Sequence, residues 1–168
     1  MEKITRSLMA LVLMLVGMVS VQAQPVAPSA PKASALVTDG SVKQYLFNVG
    51  AKGFFLGAND WGTRASFSAE KGYWVKMTPN GATFTLANEA KGGNSADCQS
   101  FDGIWVDGSG RGGDGLWTVD VAADGSFKLG NTNVAGFLSV LPSKNDTRLY
   151  MSSDEEALDV WIAVSEED

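Results

Sequence analysis

The chain has 168 residues, of which 13 are Lys or Arg and 19 are Asp or Glu, with no histidine and one cysteine. The lack of histidine excludes Ser-His-Asp and Cys-His catalysis and His-ligated metal, and a single cysteine excludes an intrachain disulfide or a multi-thiolate site. A formal net charge of −6 disfavours a nucleic-acid phosphate backbone as partner.

In chain order, Lys3 and Arg6 precede an apolar run from Leu8 to Val19, and Val21-Gln22-Ala23 follows with small residues placed for cleavage. The run is about a dozen residues against the roughly 20 that span a bilayer, so residues 1–23 read as a signal peptide rather than an anchor. The expectation is a secreted protein (periplasmic, cell-surface or extracellular) with no membrane insertion after cleavage. Residues 24–40 interleave Pro25, Pro28 and Pro31 with Ala and Ser and read as a flexible linker. Residues 41–168 are enough for one hydrophobic core and too few for two ordinary domains. That domain must hold by packing alone.

Short apolar segments then alternate with turn chemistry. Gln44 to Val49 puts Tyr45, Phe47 and Val49 on one strand face, Gly50 and Gly53 break the run, and Phe54-Phe55-Leu56 begins the next. The pattern returns at Tyr73–Met77, Thr83–Leu86, Gly103–Val106, Leu116–Val119, Ser126–Leu129, Gly136–Val140, Arg148–Met151 and Val160–Val164. Past the apolar leader no long stretch keeps a helical period, and Ser153 to Asp159 offers one turn at most. The chain is expected to be all-β.

Trp74, Trp117 and Trp161 lie 43 and 44 residues apart, and the first two are followed ten residues later by Phe84 and Phe127. A glycine followed by an apolar strand recurs at Gly53, Gly103 and Gly136. Three units of roughly 40 residues, each of about four strands, have the period of a pseudo-threefold barrel. The three tryptophans are expected to fill its core.

From Gln44 to Val164 the repeat spacing resembles the ricin-type β-trefoil, whose repeats each end in a strand carrying a buried tryptophan. Ricin-type lectins place a glutamine two residues before it, where this chain has Gly72, Gly115 and Asp159. Tyr45–Gly50 through Asn59–Thr63 is also similar to β-trefoil modules of secreted and surface proteins of Bacteroidetes-type bacteria. The resemblance implies a lectin-like module of an exported bacterial protein.

Trp61 and Trp105 have no counterpart in the other repeats. Asn59-Asp60-Trp61, closed by Gly62, sets an indole, an amide and a carboxylate on one loop, which suits the apolar face and hydroxyl rim of a sugar. The same residues also suit a self-capped turn with Trp61 over the barrel end. Lectins of the resembled family carry a sugar-binding aspartate after the strand equivalent to Gly103–Val106. Asp107 stands there in the second repeat, whereas Gly57 and Val140 occupy the place in the others. A family-type site would use Asp107 with Trp105 or Asp102.

Residues 107–115 lack the alternating oxygen ligands and closing glutamate of a calcium loop, and lack the Gly-Lys-Ser/Thr of a phosphate loop, so a mobile loop is expected there. Ala87 to Ser100 reads as an insertion available to a protein partner, with Cys98 a passive thiol. Carboxylate pairs such as Asp97 with Asp102 or Asp102 with Asp107 arise readily in an acidic chain and do not make a glycosidase. The expectation is a monomeric, non-catalytic binding module without metal or cofactor. Its partner is a carbohydrate or, alternatively, an extracellular protein met as a protease inhibitor or adhesion surface.

Overall fold

The computed structural model describes residues 30–58, 64–89, 92–106 and 115–167. Among them run strands β1 (Tyr45–Asn48), β2 (Gly53–Ala58), β3 (Ala65–Ser68), β4 (Val75–Asn80), β5 (Thr83–Asn88), β6 (Asn94–Ser95), β7 (Asp97–Ser100), β8 (Gly103–Trp105), β9 (Trp117–Val121), β10 (Phe127–Asn131), β11 (Phe137–Ser139), β12 (Tyr150–Ser152) and β13 (Trp161–Val164). The chain is all-β, and every strand pairing is antiparallel. The segment read as a signal peptide, the part of the expected linker up to residue 29 and the Gly-rich segment 107–114 lie outside the described residues.

The main sheet follows the order β3-β2-β1-β13-β10-β9-β5-β4, with β6 on β5 and the β11–β12 hairpin on β10, while β7 and β8 form a separate hairpin. An isolated bridge joins Gln44, just before β1, to Val75 at the start of the far strand β4. Its two backbone bonds measure 3.0 and 2.7 Å. Gly81, with φ of 64°, opens the two-residue β4–β5 connection, where a positive φ suits the hairpin twist.

The register exposes a repeat that tryptophan spacing misses. Leu46-Phe47-Asn48, Leu86-Ala87-Asn88 and Leu129-Gly130-Asn131 close strands β1, β5 and β10, and all three leucines are buried. The asparagines face Trp161, Val75 and Trp117 respectively. Each Nδ2 donates to a backbone carbonyl near the facing strand: Asn48 to Leu158 at 2.7 Å, Asn88 to Trp74 at 3.4 Å and Asn131 to Leu116 at 3.1 Å. A buried amide stabilises a sheet only when so satisfied.

The same register corrects the tryptophan equivalence. Phe84 pairs with Trp117 and Phe127 with Trp161, but their counterpart Gln44 pairs with Val75. Val75, not Trp74, therefore fills the third core position, and Trp74 is only half-buried. A one-residue offset sends a strand side chain to the opposite face. Packing compensates: Trp117 donates its indole N–H to the carbonyl of small Ala96 at 2.9 Å and Trp161 to that of Leu138 at 2.8 Å, whereas the smaller Val75 shares its repeat with buried Phe55. Large and small side chains alternate so that the core fills without voids.

Two further expectations change. The supposed insertion contains β6 and β7, with Ala96 and Cys98 fully buried, so it builds the core instead of projecting. From Ser34 onward the segment read as linker lies on the sheet: Ser34 N–H donates to the Ala163 carbonyl at 2.9 Å, and Leu36 packs against the core. The buried Gln44 amide completes that docking, accepting from Val37 N–H at 3.1 Å and donating to the Val37 carbonyl at 2.7 Å.

Candidate functional site

Of the six residues singled out from the sequence, Asp102 and Trp105 are described, while Asn59, Asp60, Trp61 and Asp107 lie outside the described residues. The correspondence by which Asp107 was chosen changes, because β6, not β8, pairs with the Leu-x-Asn strand of the second repeat. Gly103 opens β8, which pairs with β7, so it is not the counterpart of Gly53 or Gly136.

The β7–β8 hairpin turns through Phe101 and Asp102. Ile104 points into the core, so the neighbouring Trp105 belongs to the outer face, where it is half-buried. Arg64, leading into β3, bridges to Trp105 through the backbone. Its guanidinium lies 5.3 Å from the indole centre, and its Nη1 is 3.2 Å from Asp102 Oδ2. The Ser100 hydroxyl adds a bond of 3.3 Å to Asp102 Oδ1. Desolvation pushes the Asp102 carboxyl up, but the Arg64 bond and charge, with Ser100, outweigh it and hold it below the ordinary aspartate value. Gly103 permits this close approach, since a Cβ there would stand 2.5 Å from Ser100 Oγ and 3.3 Å from Trp105 Nε1.

Beside this group, Phe101 is 42% exposed at the hairpin tip, and its ring packs at 5.4 Å against Tyr150. Lys144 Nζ stands 5.9 Å from the Phe101 ring centre. The Tyr150 hydroxyl donates to Asp146 Oδ2 at 2.7 Å. Burial, followed by that bond and the Asp146 charge, pushes the Tyr150 phenol up. Asp146 also rims a cavity of about 400 Å³ floored by Phe67, Leu141, Pro142 and Leu158. The surface thus carries aromatic faces within reach of two carboxylates and two cations.

Sequence reasoning found Asp102 and Trp105 but missed Phe101, Tyr150, Arg64 and Asp146. The available signal was the dipeptide Phe101-Asp102 before Gly103, an aromatic placed in turn chemistry where burial is unavailable. Partners from β3 and β12 are distant in sequence and left no local trace.

Cys98 is buried, and desolvation pushes its thiol up to about 12, which removes the thiolate needed for reactivity. Among the described residues no three His, Cys, Asp or Glu side chains gather to hold a metal ion, and no helix is long and apolar enough to cross a membrane.

No protein-family profile matches the chain, and no curated protein matches it in sequence. Solved structures do resemble it. Lysenin in complex with phosphocholine superposes with a TM-score of 0.62 at 13% identity over 79% of this chain, and the lysenin pore with 0.61 at 13% over 80%. The match spans about half of lysenin, 47% and 49% of those chains. A Culex salivary protein of the Cysteine and Tryptophan-Rich (CWRC) family gives a TM-score of 0.56 at 20% identity, covering 79% of this chain and 99% of that one. At these identities the likeness is one of fold. A single cysteine sets this chain apart from the cysteine-rich composition that family's name describes.

Proposed function

We propose that this chain is a secreted, non-catalytic β-trefoil module that binds carbohydrate on the surface formed by Phe101, Asp102, Trp105 and Arg64, with Tyr150 buried behind Phe101. The trefoil reading draws support from the threefold Leu-x-Asn strands, their equivalent pairings and the Gln44–Val75 bridge linking β1 to β4. Export rests on the apolar leader at residues 8–19 and cleavage after Ala23.

The observation that carries the binding reading is the exposed Phe101, braced by Tyr150 and flanked by Asp102 and Asp146. A pyranose ring stacks its C–H face on an aromatic plane while carboxylates accept from its hydroxyls and Arg64 or Lys144 donates to its oxygens. Lysenin, similar in fold over about half its length, is described in complex with phosphocholine, which supports a binding role for a module of this fold. The protein-binding alternative relied on a projecting loop at 87–101; within it Asn94–Ser95 and Asp97–Ser100 are strands and Ala96, Asp97 and Cys98 are buried, which leaves Phe101 as its exposed tip.

A glycan array probed with the purified chain tests the proposal. Binding to a glycan family that is lost in Phe101→Ala and Asp102→Ala supports it. A flat array from folded protein rejects it and favours a protein partner. Trp61→Ala and Asp107→Ala in the same screen report whether those two residues take part.

A further inference from the structure

A second surface combines features that folding does not require. The Gln44–Val75 bridge is an antiparallel hydrogen-bonded pair, so the residues flanking it, Lys43 and Lys76, come opposite each other. Directly opposed like charges destabilise a ladder. The composition does not force them together, since acidic residues outnumber basic ones 19 to 13. Both lysines line a cavity of about 440 Å³, and among the described residues no carboxylate lies within 4.0 Å of either ammonium.

Trp74 stands beside them. Its repeat position belongs in the core, but the register gives that place to Val75 and leaves the indole half-buried, with Lys43 Nζ 4.6 Å from the ring centre. Tyr73, next in the chain, is 42% exposed. The far wall of the cavity is Ser165, Glu166 and Glu167, and Lys71 Nζ fixes that segment by donating to the carbonyls of Ser165 at 3.4 Å and Glu166 at 3.1 Å. Two lysines opposed across the bridge and lining one cavity, with the Lys43 ammonium against a half-buried indole, match a ligand that carries an anion on a ring with an apolar face. Glu166 and Glu167, held at the same cavity, compete for that place.

We infer that Lys43, Lys76 and Trp74 form a second subsite selective for acidic sugars, whose carboxylate or sulfate the lysines hold while the sugar ring lies against the indole. This rests on the carbohydrate reading above but uses none of the residues proposed there. The tests therefore separate.

The full chain is titrated calorimetrically at low salt with trigalacturonic acid and with its trimethyl ester, and inorganic sulfate serves as the anion without a sugar. The acid is expected to bind about tenfold tighter than the ester, as two charge-assisted contacts allow. That preference should vanish in the Lys43→Gln, Lys76→Gln double variant and grow several-fold in Glu166→Gln, Glu167→Gln. Thermal melts confirm that these surface variants fold. Equal binding of acid and ester, no binding of either, sulfate competing with full effectiveness, or a preference that survives loss of both lysines would overturn the subsite. Acid preference retained in Phe101→Ala supports the subsite even where the Phe101 surface binds nothing. Neutral glycans bound through Phe101 without acid preference would sink the subsite and leave the first reading standing.

Discussion

The first repeat and the other two solve one packing problem differently. In the second and third, a tryptophan opens the last strand, is fully buried and donates to a backbone carbonyl, with Ala96 or Leu138 completing the layer. In the first, Val75 takes that place in a repeat whose buried ring is Phe55, and the tryptophan one residue earlier lies half-buried outside. Core volume is shared between strands, so a residue type repeated in sequence need not repeat in position. What recurs in place is the Leu-x-Asn strand end, because a buried amide bound to a carbonyl has fewer substitutes than an apolar side chain.

The largest expected effect would break this contrast outright. Trp161→Ala should destabilise by about 3–5 kcal/mol in chemical denaturation, as for other large-to-small core changes, and Trp74→Ala by less than about 1 kcal/mol. Comparable losses would mean that Trp74 is a core residue after all. Next, Asn48→Ala removes a buried donor from the Leu158 carbonyl and an acceptor from Ala51 N–H at 2.8 Å. It should cost about 1–3 kcal/mol, and Asn131→Ala, where the amide is only half-buried, should cost less.

The second repeat is sharpened by pH. The Cys98 thiol is raised by burial, so its contribution is fully present below the unfolded value of 9.0 and is lost as pH rises toward about 12. Denaturation midpoints at pH 8 and 10.5 should fall more steeply in the wild type than in Cys98→Ala, and a thiol reagent should label Cys98 only on unfolding. The smallest effect belongs to the surface. Asp102 is depressed, so the stability it lends is present above the ordinary aspartate value and is lost as pH falls through its folded one. With half its side chain exposed, the Arg64–Asp102 pair should be worth less than about 1 kcal/mol. Carboxyl NMR should show Asp102 titrating low and moving up in Arg64→Gln.

The all-β class was legible in the sequence because period-2 apolar runs and Gly-rich turns are local. In the sequence the repeat is read from the tryptophans, whereas the segments that recur in equivalent pairings are Leu46-Phe47-Asn48, Leu86-Ala87-Asn88 and Leu129-Gly130-Asn131. Ala87 to Ser100 looked like an insertion because Asn94-Ser95-Ala96 has no large apolar residue. Its small side chains are what Trp117 requires overhead. For the site, Asp102 and Trp105 stood out as acid and indole near each other in sequence, whereas Arg64 and Tyr150 come from strands some 40 residues to either side.

The most direct test of the central claim is an ¹⁵N NMR titration that follows the five indole N–H signals while the strongest array glycan is added. Binding at the Phe101 surface predicts that the Trp105 signal shifts with saturation while those of Trp117 and Trp161 stay fixed. Shifts at the two core indoles with none at Trp105, or no shift at any of them, would contradict it.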